Sequence, residues 1–448
     1  MPLVRRNSVR RPTVEDSYRF FENRACRYFP CHEGLSDFNC LFCYCPLYGR
    51  IPCPGNPEFV RKPDGTVIKK CTGCTFPHRP ENYERIMRLL KPSASGAAPI
   101  PEPLHGGTGG ADSLDFSVSV NPLGMPGTVR AALAGLAERG SCYPDYHCAA
   151  LRAALSRRYG LPSGMICVGN GASELIALAV AAIEPRTALL LAPTFSGYER
   201  ALAARHTELA FCPLRREEQF SFGGRFATEF FVLLQKQPDM VFLCQPNNPT
   251  GTCMEPELLH EIARRCEQQG TFLVVDECFL GFVRGAERLS ARRLLVSYRH
   301  VLVIDAATKL YAIPGIRLGW GFGSDMLLAR MRQLQPEWSV SEAAQLAGLA
   351  ALQDESYLGM TLAAVEAGRN FLAEELGKLS CTVYPGQANF LLWTAPRNIA
   401  EQLRRADVCV RSCAGFRGLG ACDYRIAVRP APENQRLVVA VREALGAC

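Results

Sequence analysis

The sequence predicts an α/β protein with a large, mostly parallel sheet, a smaller α+β lobe at the C-terminal end and a small cysteine-rich domain in front. Three observations lead to this prediction. From Leu114 onward, short and almost wholly apolar segments alternate with amphipathic stretches, as for strands buried on both faces of a parallel sheet. The last hundred residues change character. Eight of the 21 cysteines fall between residues 26 and 74.

The strands of the large sheet are predicted from six apolar segments, and helical patterns lie between several of them. One such pattern, PELLHEIARRCEQQG, closes on Gly270, a typical C′ cap. In an α/β sheet of this kind, functional groups are expected at the carboxyl ends of the strands. The six segments are MICVG, TALLLA, MVFLCQ, TFLVVDE, HVLVID and RLGWGF. The strands of the C-terminal lobe are predicted from VYPGQANFLLW, VCVRSC and DYRIAVRP.

Composition divides the chain into three parts. Residues 1–91 form the cysteine-rich domain, and residues 92–104 begin a stretch rich in Pro, Gly, Ala and Ser that is typical of a linker. Residues 105–448 form the predicted catalytic domain, which contains all of the α/β pattern.

Charge and hydropathy exclude some classes of protein. Of the 448 residues, 48% are hydrophobic and 21% charged, which suits a large buried core. No apolar run approaches the roughly 18 residues that a membrane-spanning helix needs, and the arginine-rich start lacks the apolar core of a secretory signal. The whole net charge of +7 falls in residues 1–95, which hold 16 Lys and Arg against 9 Asp and Glu. This basic surplus would suit binding to nucleic acid, or it would compensate the negative charge of metal-bound thiolates. We favour charge compensation, and we expect no membrane partner.

The thirteen remaining cysteines are dispersed and mostly lie in apolar surroundings, as in MVFLCQP. Such thiols pack as small hydrophobic side chains. Dispersed thiols, an odd total and no expected signal segment together predict a reducing, cytoplasmic location.

Two segments that follow predicted strands would hold an anion. GNGASE opens a helix, so the backbone N–H groups of Gly171, Ala172 and Ser173 would face it. TKLYAIPGIRLGW carries Lys309 and Arg317 as its only charges. Burying cations in such an apolar stretch is costly unless an anion meets them. A phosphate group held by the helix start and Arg317 satisfies this requirement.

Two further segments would hold a ring. Asp276 ends the strand VVD, where a buried carboxylate needs a cationic partner such as a protonated ring nitrogen. Asn248, in the turn QPNNPTG, would meet a polar ring substituent. A lysine desolvated beside cations has a lowered pKa and condenses readily with an aldehyde, which is the expected role of Lys309. A phosphate, a ring nitrogen and an aldehyde together describe pyridoxal 5′-phosphate.

These motifs, in this order and spacing, resemble the fold-type I pyridoxal-phosphate enzymes of the aspartate aminotransferase superfamily, over residues 105 to about 445. Within it the sequence is similar to two families, the histidinol-phosphate aminotransferases and the threonine-phosphate decarboxylases of cobalamin biosynthesis. HGG, LDFSVSVNPLG, YPDY, APTFSGYERAL and DECFLGF favour the second. So does Phe279, since the aminotransferases usually have there a tyrosine that bonds the cofactor's ring oxygen.

The resemblance implies roles for further residues. Phe195 would stack on the cofactor ring, and Tyr143 would reach the cofactor phosphate of a partner subunit, which implies a homodimer. Arg425 would grip the substrate carboxylate in a bidentate pair. The other residues that would hold the phosphorylated amino-acid substrate are Arg411, His105 and Asn121.

One departure from the family concerns the phosphate site. The residue three before the lysine is often a serine that touches the phosphate; here it is Ala306, with Thr308 nearby as a replacement contact. The activity implied is decarboxylation of L-threonine O-3-phosphate to (R)-1-aminopropan-2-ol O-phosphate. Two alternatives are transamination of a substrate like histidinol phosphate, and a metal-dependent regulatory protein that keeps the fold as a sensor.

The front domain has the spacing of a metal-binding segment. It contains two CxxC pairs, which let two thiolates turn toward one ion, and tetrahedral sulfur sites suit zinc, with an iron–sulfur cluster as the rival. FNCLFCYCPLYGRIPCPG with KKCTGCTFPH also resembles a small cysteine-rich domain found beside cobalamin genes. His32 and His78 are possible substitute ligands. The predicted ligands are Cys26, Cys31, Cys40, Cys43, Cys45, Cys53, Cys71 and Cys74.

Overall fold

The computed structural model describes residues 18–50, 53–62, 67–90, 106–107 and 113–446. The chain divides into two compact units, Met1–Ala94 and Ser95–Cys448. The predicted linker, residues 92–104, lies outside the described residues, so the domain boundaries drawn from the sequence stay predictions. In the described part of the chain, no helix is long and apolar enough to cross a membrane.

The front unit contains little regular structure. An antiparallel hairpin pairs β1 (Glu58–Arg61) with β2 (Val67–Lys70), and helix α1 (Tyr83–Leu90) follows. Most of the unit consists of turns that carry the cysteines. Among its described residues, an apolar cluster is small and has three buried side chains at its centre: Leu47, Ile86 and Leu89.

The large unit begins with β3 and runs through alternating strands and helices. Its elements up to the last strand of the main sheet are β3 (Leu114–Asp115), α2 (Gly127–Ala134), α3 (Leu136–Arg139), α4 (Ala149–Tyr159), β4 (Ile166–Gly169), α5 (Gly171–Ile183), β5 (Thr187–Ala192), α6 (Ser196–Ala203), β6 (Glu208–Pro213), α7 (Arg225–Leu234), β7 (Met240–Cys244), α8 (Pro256–Gln269), β8 (Phe272–Asp276), α9 (Ala286–Leu289), β9 (Val301–Ala306), α10 (Ala307–Leu310) and β10 (Gly319–Gly323).

The main sheet has seven strands in the order β4-β10-β9-β8-β7-β5-β6. The pairs among β9, β8, β7, β5 and β6 are parallel, whereas β10 is antiparallel to both of its neighbours. Apolar clusters cover both faces of the sheet. The carboxyl ends of the parallel strands therefore meet at one edge, where the polar segments singled out in the sequence follow them.

The six strands predicted for this sheet are all present, and the predicted cap of α8 is confirmed by the left-handed backbone of Gly270 at φ 64°. Strand β6 was not predicted. It lies at the sheet edge and is only partly buried, so its sequence ELAFCP lacks the continuous apolar run of a central strand.

The C-terminal lobe holds a second sheet, in the order β11-β12-β15-β14. Strand β13 instead pairs in parallel with β3, which ties the first residues of this unit to the lobe. In the second sheet, Arg411 of β14 lies directly opposite Arg425 of β15. The remaining elements are α11 (Asp325–Leu334), α12 (Glu342–Leu352), α13 (Glu355–Lys378), β11 (Thr382–Val383), β12 (Phe390–Thr394), α14 (Ala400–Arg405), β13 (Val408–Cys409), β14 (Arg411–Ser412), β15 (Asp423–Ala427) and α15 (Ala431–Leu445).

Candidate active site

A cavity of about 380 Å³ lies within the large unit, at the carboxyl ends of the main-sheet strands and beside the C-terminal lobe. This size falls in the range of sites for small molecules and cofactors. Ten of the residues predicted from the sequence line it: Ala172, Ser173, Phe195, Asn248, Asp276, Thr308, Lys309, Arg317, Arg411 and Arg425.

One end of the cavity is a cradle of backbone N–H groups at the start of α5. Gly171 has φ +74°, and a Cβ atom there would come within 2.6 Å of Nη2 of Arg317. A Cβ on Gly319 would come within 2.8 Å of the Ala172 nitrogen, so strand β10 also presses against this turn. Glycine at 171 lets the Arg317 guanidinium come close to the helix, and glycine at 319 lets strand β10 come close to it. The N-terminus of α5 and the guanidinium therefore lie side by side, and this combination favours binding of a phosphate.

Asp276, at the end of β8, is held by two hydrogen bonds. The hydroxyl of Tyr198 donates to its Oδ2 at 2.7 Å, and the backbone N–H of Cys278 donates to its Oδ1 at 3.0 Å. Burial and the adjacent Asp276 raise the pKa of Tyr198 well above its usual range, so the phenol stays protonated and keeps donating. The carboxylate is thus fixed in orientation at the cavity wall.

Lys309 lies in α10, directly after β9, and its side chain is largely buried. Burial, with Arg425 and Arg317 nearby, lowers the pKa of this amine to about 8. The backbone N–H of Asn121 donates to the Lys309 carbonyl at 3.0 Å, which anchors the short helix. The amine is therefore uncharged in a far larger fraction of molecules than an exposed lysine would be, as a nucleophile requires.

Two arginines of the C-terminal lobe enter the cavity from opposite strands. Arg425 donates through Nη1 to Oδ1 of Asn248 at 2.7 Å and through Nη2 to the Ser117 carbonyl at 2.8 Å. Burial, and to a smaller extent the neighbouring Arg411, lowers the pKa of Arg425 to about 10. Two adjacent guanidinium groups in a buried cavity strongly favour an anionic ligand.

Two predicted site residues lie away from the cavity of their own chain. Tyr143 is 80% exposed and stacks on Trp338, with ring centroids 4.7 Å apart, rather than lining the cavity of its own chain. Asn121 does not line the cavity either: its amide donates to the Leu310 carbonyl and the Thr361 hydroxyl, both at 2.7 Å. These contacts tie Asn121 to α10 and α13, and its expected role in binding substrate stays a prediction. His105 lies outside the described residues.

In the front unit, some of the predicted metal ligands lie close together. Cys31 Sγ lies 3.3 Å from His32 Nδ1 and 4.0 Å from His78 Nε2. Burial raises the pKa of the Cys31 thiol, and the nearby Cys43 raises it further. Cys40 is a further electrostatic neighbour of Cys31.

Lys69 lies near two further predicted ligands, Cys45 and Cys71. Burial raises the pKa of the Cys45 and Cys71 thiols, the nearby thiols of Cys53 and Cys74 raise both further, and Lys69 opposes this. Cys26 is connected to Cys40 through the backbone of Asn23. Its N–H donates to the carbonyl of Asn23, whose own N–H donates to Cys40 Sγ.

Comparison with known proteins decides the family. The family model of the class I and II aminotransferases matches residues 111–442. The chain belongs to this family. A second model, described as a cysteine-rich small domain, matches residues 17–96.

Among curated class I and II relatives, the chain is 38% identical over 337 residues to the threonine-phosphate decarboxylase of Salmonella typhimurium, covering 74% of this chain and 91% of that protein. Among solved structures, the histidinol-phosphate aminotransferase of Clostridium acetobutylicum matches with a TM-score of 0.70 and 25% identity, over 75% of this chain and all of that one. The L-threonine-O-3-phosphate decarboxylase of Porphyromonas gingivalis matches with a TM-score of 0.66 and 21% identity, over 74% and 99% of the two chains. The chain thus has the fold-type I architecture.

Sequence reasoning missed several residues of this aminotransferase-like cavity. Tyr198 lies three residues after Phe195 on α6, so both rings project from the same end of that helix toward the cavity. Cys278 and Ser119 also line it. The pairing of Tyr198 with Asp276 has no sequence signature, because 78 residues separate the two. The signal available in the sequence was that Tyr198, a polar aromatic residue, lies about one helical turn after Phe195, a predicted cofactor contact.

Proposed function

We propose that the protein is a pyridoxal-phosphate-dependent lyase that decarboxylates L-threonine O-3-phosphate to (R)-1-aminopropan-2-ol O-phosphate in cobalamin biosynthesis. The observation that carries this proposal is the 38% identity to the Salmonella threonine-phosphate decarboxylase over 91% of that protein. The cavity supplies independent support, since it offers groups for two phosphates and one carboxylate.

The residues of the cavity fit the cofactor. Within the described chain, two buried polar atoms at the cavity have no hydrogen-bond partner, Oγ of Ser119 and Nε of Arg425, and a polar ligand would satisfy them. The cradle of Gly171 and Arg317 suits the cofactor's phosphate, and Asp276 suits its ring nitrogen. When bound, pyridoxal phosphate supplies a sink for the electron pair that stays on Cα when CO2 departs.

The protein's own groups then perform binding, orientation and proton transfer. Asp276, fixed by Tyr198, holds a positive charge at the ring nitrogen, where it favours electron withdrawal. The pKa of the Lys309 amine is about 8, so both of its protonation states are populated near that pH. The protonated Nζ can return a proton to Cα, and the neutral Nζ can then displace the product. Phe195 covers the cofactor ring and excludes water from one face.

Arg411 and Arg425 are proposed to hold the two anionic ends of the substrate. Arg425 is the deeper of the two and already donates to Asn248, so it is assigned to the carboxylate. Arg411, on the adjacent strand, is assigned to the phosphate. Removing CO2 leaves the product bound only through its phosphate and amine, which favours release.

Transamination of histidinol phosphate or a similar compound is the second candidate, because of the likeness to the Clostridium acetobutylicum aminotransferase. Phe279 counts against it. Its ring lines the cavity and packs edge-on against Phe390 at 5.0 Å, and it has no hydroxyl for the cofactor's ring oxygen.

The test is incubation of the purified protein with L-threonine O-3-phosphate, L-serine O-phosphate and histidinol phosphate, each with and without 2-oxoglutarate. We expect CO2 and the phosphorylated amine from the threonine derivative, independent of 2-oxoglutarate. Formation of glutamate that requires 2-oxoglutarate, without CO2, would establish the aminotransferase instead.

We also propose a homodimer in which Tyr143 reaches the cofactor phosphate of the partner subunit. The exposure of Tyr143, away from its own cavity, supports this assignment. Sedimentation of the intact protein should give the mass of two chains. A fully active monomer would remove Tyr143 from the active site.

For the front unit we propose metal binding by its cysteines, with zinc as the metal. The match to a cysteine-rich small domain and the cluster of Cys31, His32 and His78, whose ligand atoms all lie within 4.8 Å of one another, support it. Elemental analysis distinguishes zinc from an iron–sulfur cluster, which would bring iron with acid-labile sulfide.

A further inference from the structure

The loop 413–420, which follows β14, carries one aromatic side chain that faces the interior. Its sequence is CAGFRGLG, and the residues on either side of Phe416 are exposed, whereas Phe416 itself is 8% exposed. Gly418 has φ +83°, a left-handed backbone that glycine adopts without strain. Its three glycines supply no side chains to anchor the loop, so its position depends on a small number of other groups.

Both ends of the loop are held by Asp423, the first residue of β15. The N–H of Cys413 donates to the backbone carbonyl of Asp423 at 2.8 Å, and the N–H of Gly420 donates to its Oδ2 at 2.7 Å. Nη2 of Arg216, which follows β6 of the main sheet, donates to the same oxygen at 2.7 Å. The base of the loop is thus fixed independently of its tip.

The tip is held by an ion pair that crosses from the C-terminal lobe to helix α6. Arg417 donates through Nε and Nη2 to the two carboxylate oxygens of Glu199, at 3.3 and 2.5 Å. Its guanidinium also lies 4.2 Å from the centroid of the Phe211 ring. The Glu199 side chain is only 20% exposed. A bidentate pair with a partly buried carboxylate, backed by an aromatic face, is stronger than an ordinary surface ion pair.

Phe416 connects this ion pair to the active-site cavity. Its ring lines the cavity, and the Arg411 guanidinium lies 5.4 Å from the ring centroid. A crevice of about 30 Å³ is lined by Glu199 and Arg417 together with Phe195, Arg411 and Phe416, and the last three also line the cavity. The ion pair therefore lies directly beside the cavity wall.

Arg411 needs support because of its neighbour. It lies directly opposite Arg425 in the second sheet, and both side chains line the cavity. Before an anion binds, repulsion between the two like charges favours rotamers that turn Arg411 away. An aromatic face is a favourable surface for a guanidinium, and Phe416 provides one only while the tip of the loop keeps its position.

We propose that Glu199 and Arg417 are positioning residues for the phosphate of the substrate. Their ion pair holds the loop 413–420 against α6, and Phe416 then keeps Arg411 directed into the cavity. This inference rests on the proposed function, in which Arg411 binds the phosphate. It goes beyond that function because it assigns a role in substrate affinity to two residues outside the cavity lining.

The test titrates the cofactor-loaded, full-length protein with two probes and follows the cofactor absorbance. O-Phosphoethanolamine carries an amine and a phosphate, whereas L-threonine carries an amine and a carboxylate. In Arg417→Gln and in Glu199→Gln, the dissociation constant of O-phosphoethanolamine should rise about three- to tenfold, and that of L-threonine should change less than about twofold. In steady-state kinetics, the KM for L-threonine O-3-phosphate should rise by the same factor while kcat stays within about twofold.

A charge swap separates positioning from a general loss of structure. Glu199→Arg combined with Arg417→Glu should recover most of the affinity that each single change removes. Phe416→Leu should weaken phosphate binding with the ion pair intact. The matched control is Arg264→Gln, since Arg264 likewise donates through Nε and Nη2 to both oxygens of a glutamate, Glu261 on α8. This change should alter neither dissociation constant.

Three results would overturn the positioning role: unchanged affinity for O-phosphoethanolamine in both single variants, equal losses for the two probes, or a swapped variant as weak as the single ones. The titrations do not depend on which reaction follows. A parent protein that shows the expected pattern but transaminates its substrate would refute the proposed function and support the positioning role. A parent protein that does not bind O-phosphoethanolamine would overturn both the assignment of Arg411 to a phosphate and the role built on it.

Discussion

The hydroxyl of Tyr198 donates a 2.7 Å hydrogen bond to Oδ2 of Asp276, joining helix α6 to the end of strand β8. The phenol ring is fully buried and stacks on Phe242 at 4.8 Å with an interplanar angle of 9°. The donor is therefore rigid, and it restricts the carboxylate to one rotamer. This contact makes Tyr198 a positioning residue for the group expected to face the cofactor's ring nitrogen.

Tyr198→Phe should lower kcat while retaining the fold. A buried hydrogen bond to a charged group contributes about 1.5–3 kcal/mol, so we expect a loss of roughly 10- to 100-fold, with pyridoxal phosphate still bound but held more weakly. Steady-state kinetics and a cofactor titration measure the two effects. Tyr298→Phe, which removes a surface hydroxyl that contacts His260, is the control and should change neither. Unaltered kcat and cofactor affinity in Tyr198→Phe would refute the positioning role.

The main sheet and the cavity were largely predictable because both depend on local signals. Buried strands leave continuous apolar runs, and a residue that follows such a run lies at the edge where the site forms. Asp276, Lys309 and Asn248 were found in this way. The partners of these residues were not, since contacts such as Tyr198 with Asp276, or Arg425 with Asn248, join segments 78 and 177 residues apart.

The same limit applies to Asn121 and to the cysteines. Asn121 lies in a motif shared with a family, but its amide is satisfied by Leu310 and Thr361, which only the folded chain reveals. CxxC spacing indicated metal binding, yet spacing alone does not divide eight thiols into sets. Which thiol meets a histidine depends on turns that place Cys31 beside His78, 47 residues further along the chain.

The low pKa of Lys309 makes cofactor attachment dependent on pH. Burial, Arg425 and Arg317 destabilise the ammonium and lower its pKa to about 8, so the nucleophilic neutral amine gains population as pH rises through that value. The rate at which apoprotein becomes covalently loaded with pyridoxal phosphate should therefore rise with a midpoint near pH 8 and level off well above it, as followed by absorbance. Lys309→Ala should never form the linkage, and Arg425→Gln should move the midpoint upward. A midpoint near the ordinary lysine value of about 10.4 would contradict the prediction.

A buried charge network behind the site predicts a second pH effect. Arg292 lies 3.0 Å from Glu277 and 3.6 Å from Asp305. Glu277 directly follows the last residue of β8, and Asp305 directly precedes the last residue of β9. Burial and the nearby Glu277 raise the pKa of Asp305 to about 7, although Arg292 opposes this.

The folded state therefore binds the Asp305 proton more tightly than the unfolded chain does. Its contribution to stability is full below the unfolded pKa and declines as pH rises from about 4 to about 7. In thermal unfolding, the Tm of Asp305→Asn relative to that of the parent should increase over this interval. Glu138→Gln, a change at an exposed carboxylate, should show no such trend. A constant difference between parent and Asp305→Asn would exclude a raised pKa.

Metal removal should affect the two units differently. Within the described residues, the apolar cluster of the front unit is centred on three buried side chains, so this unit has little to stabilise it once its thiols lose an ion, whereas the large unit has extensive cores on both faces of its sheet. A chelator should therefore unfold the front unit, seen as proteolysis within residues 18–90, and leave pyridoxal phosphate bound.

A chain shortened to begin near Pro101 should likewise fold, bind the cofactor, contain no zinc and turn over substrate. Zinc retained by the shortened chain would mean that cysteines of the large unit bind metal. Cofactor binding without turnover would show instead that the front unit completes or controls the active site, and would end the view that the two units work separately.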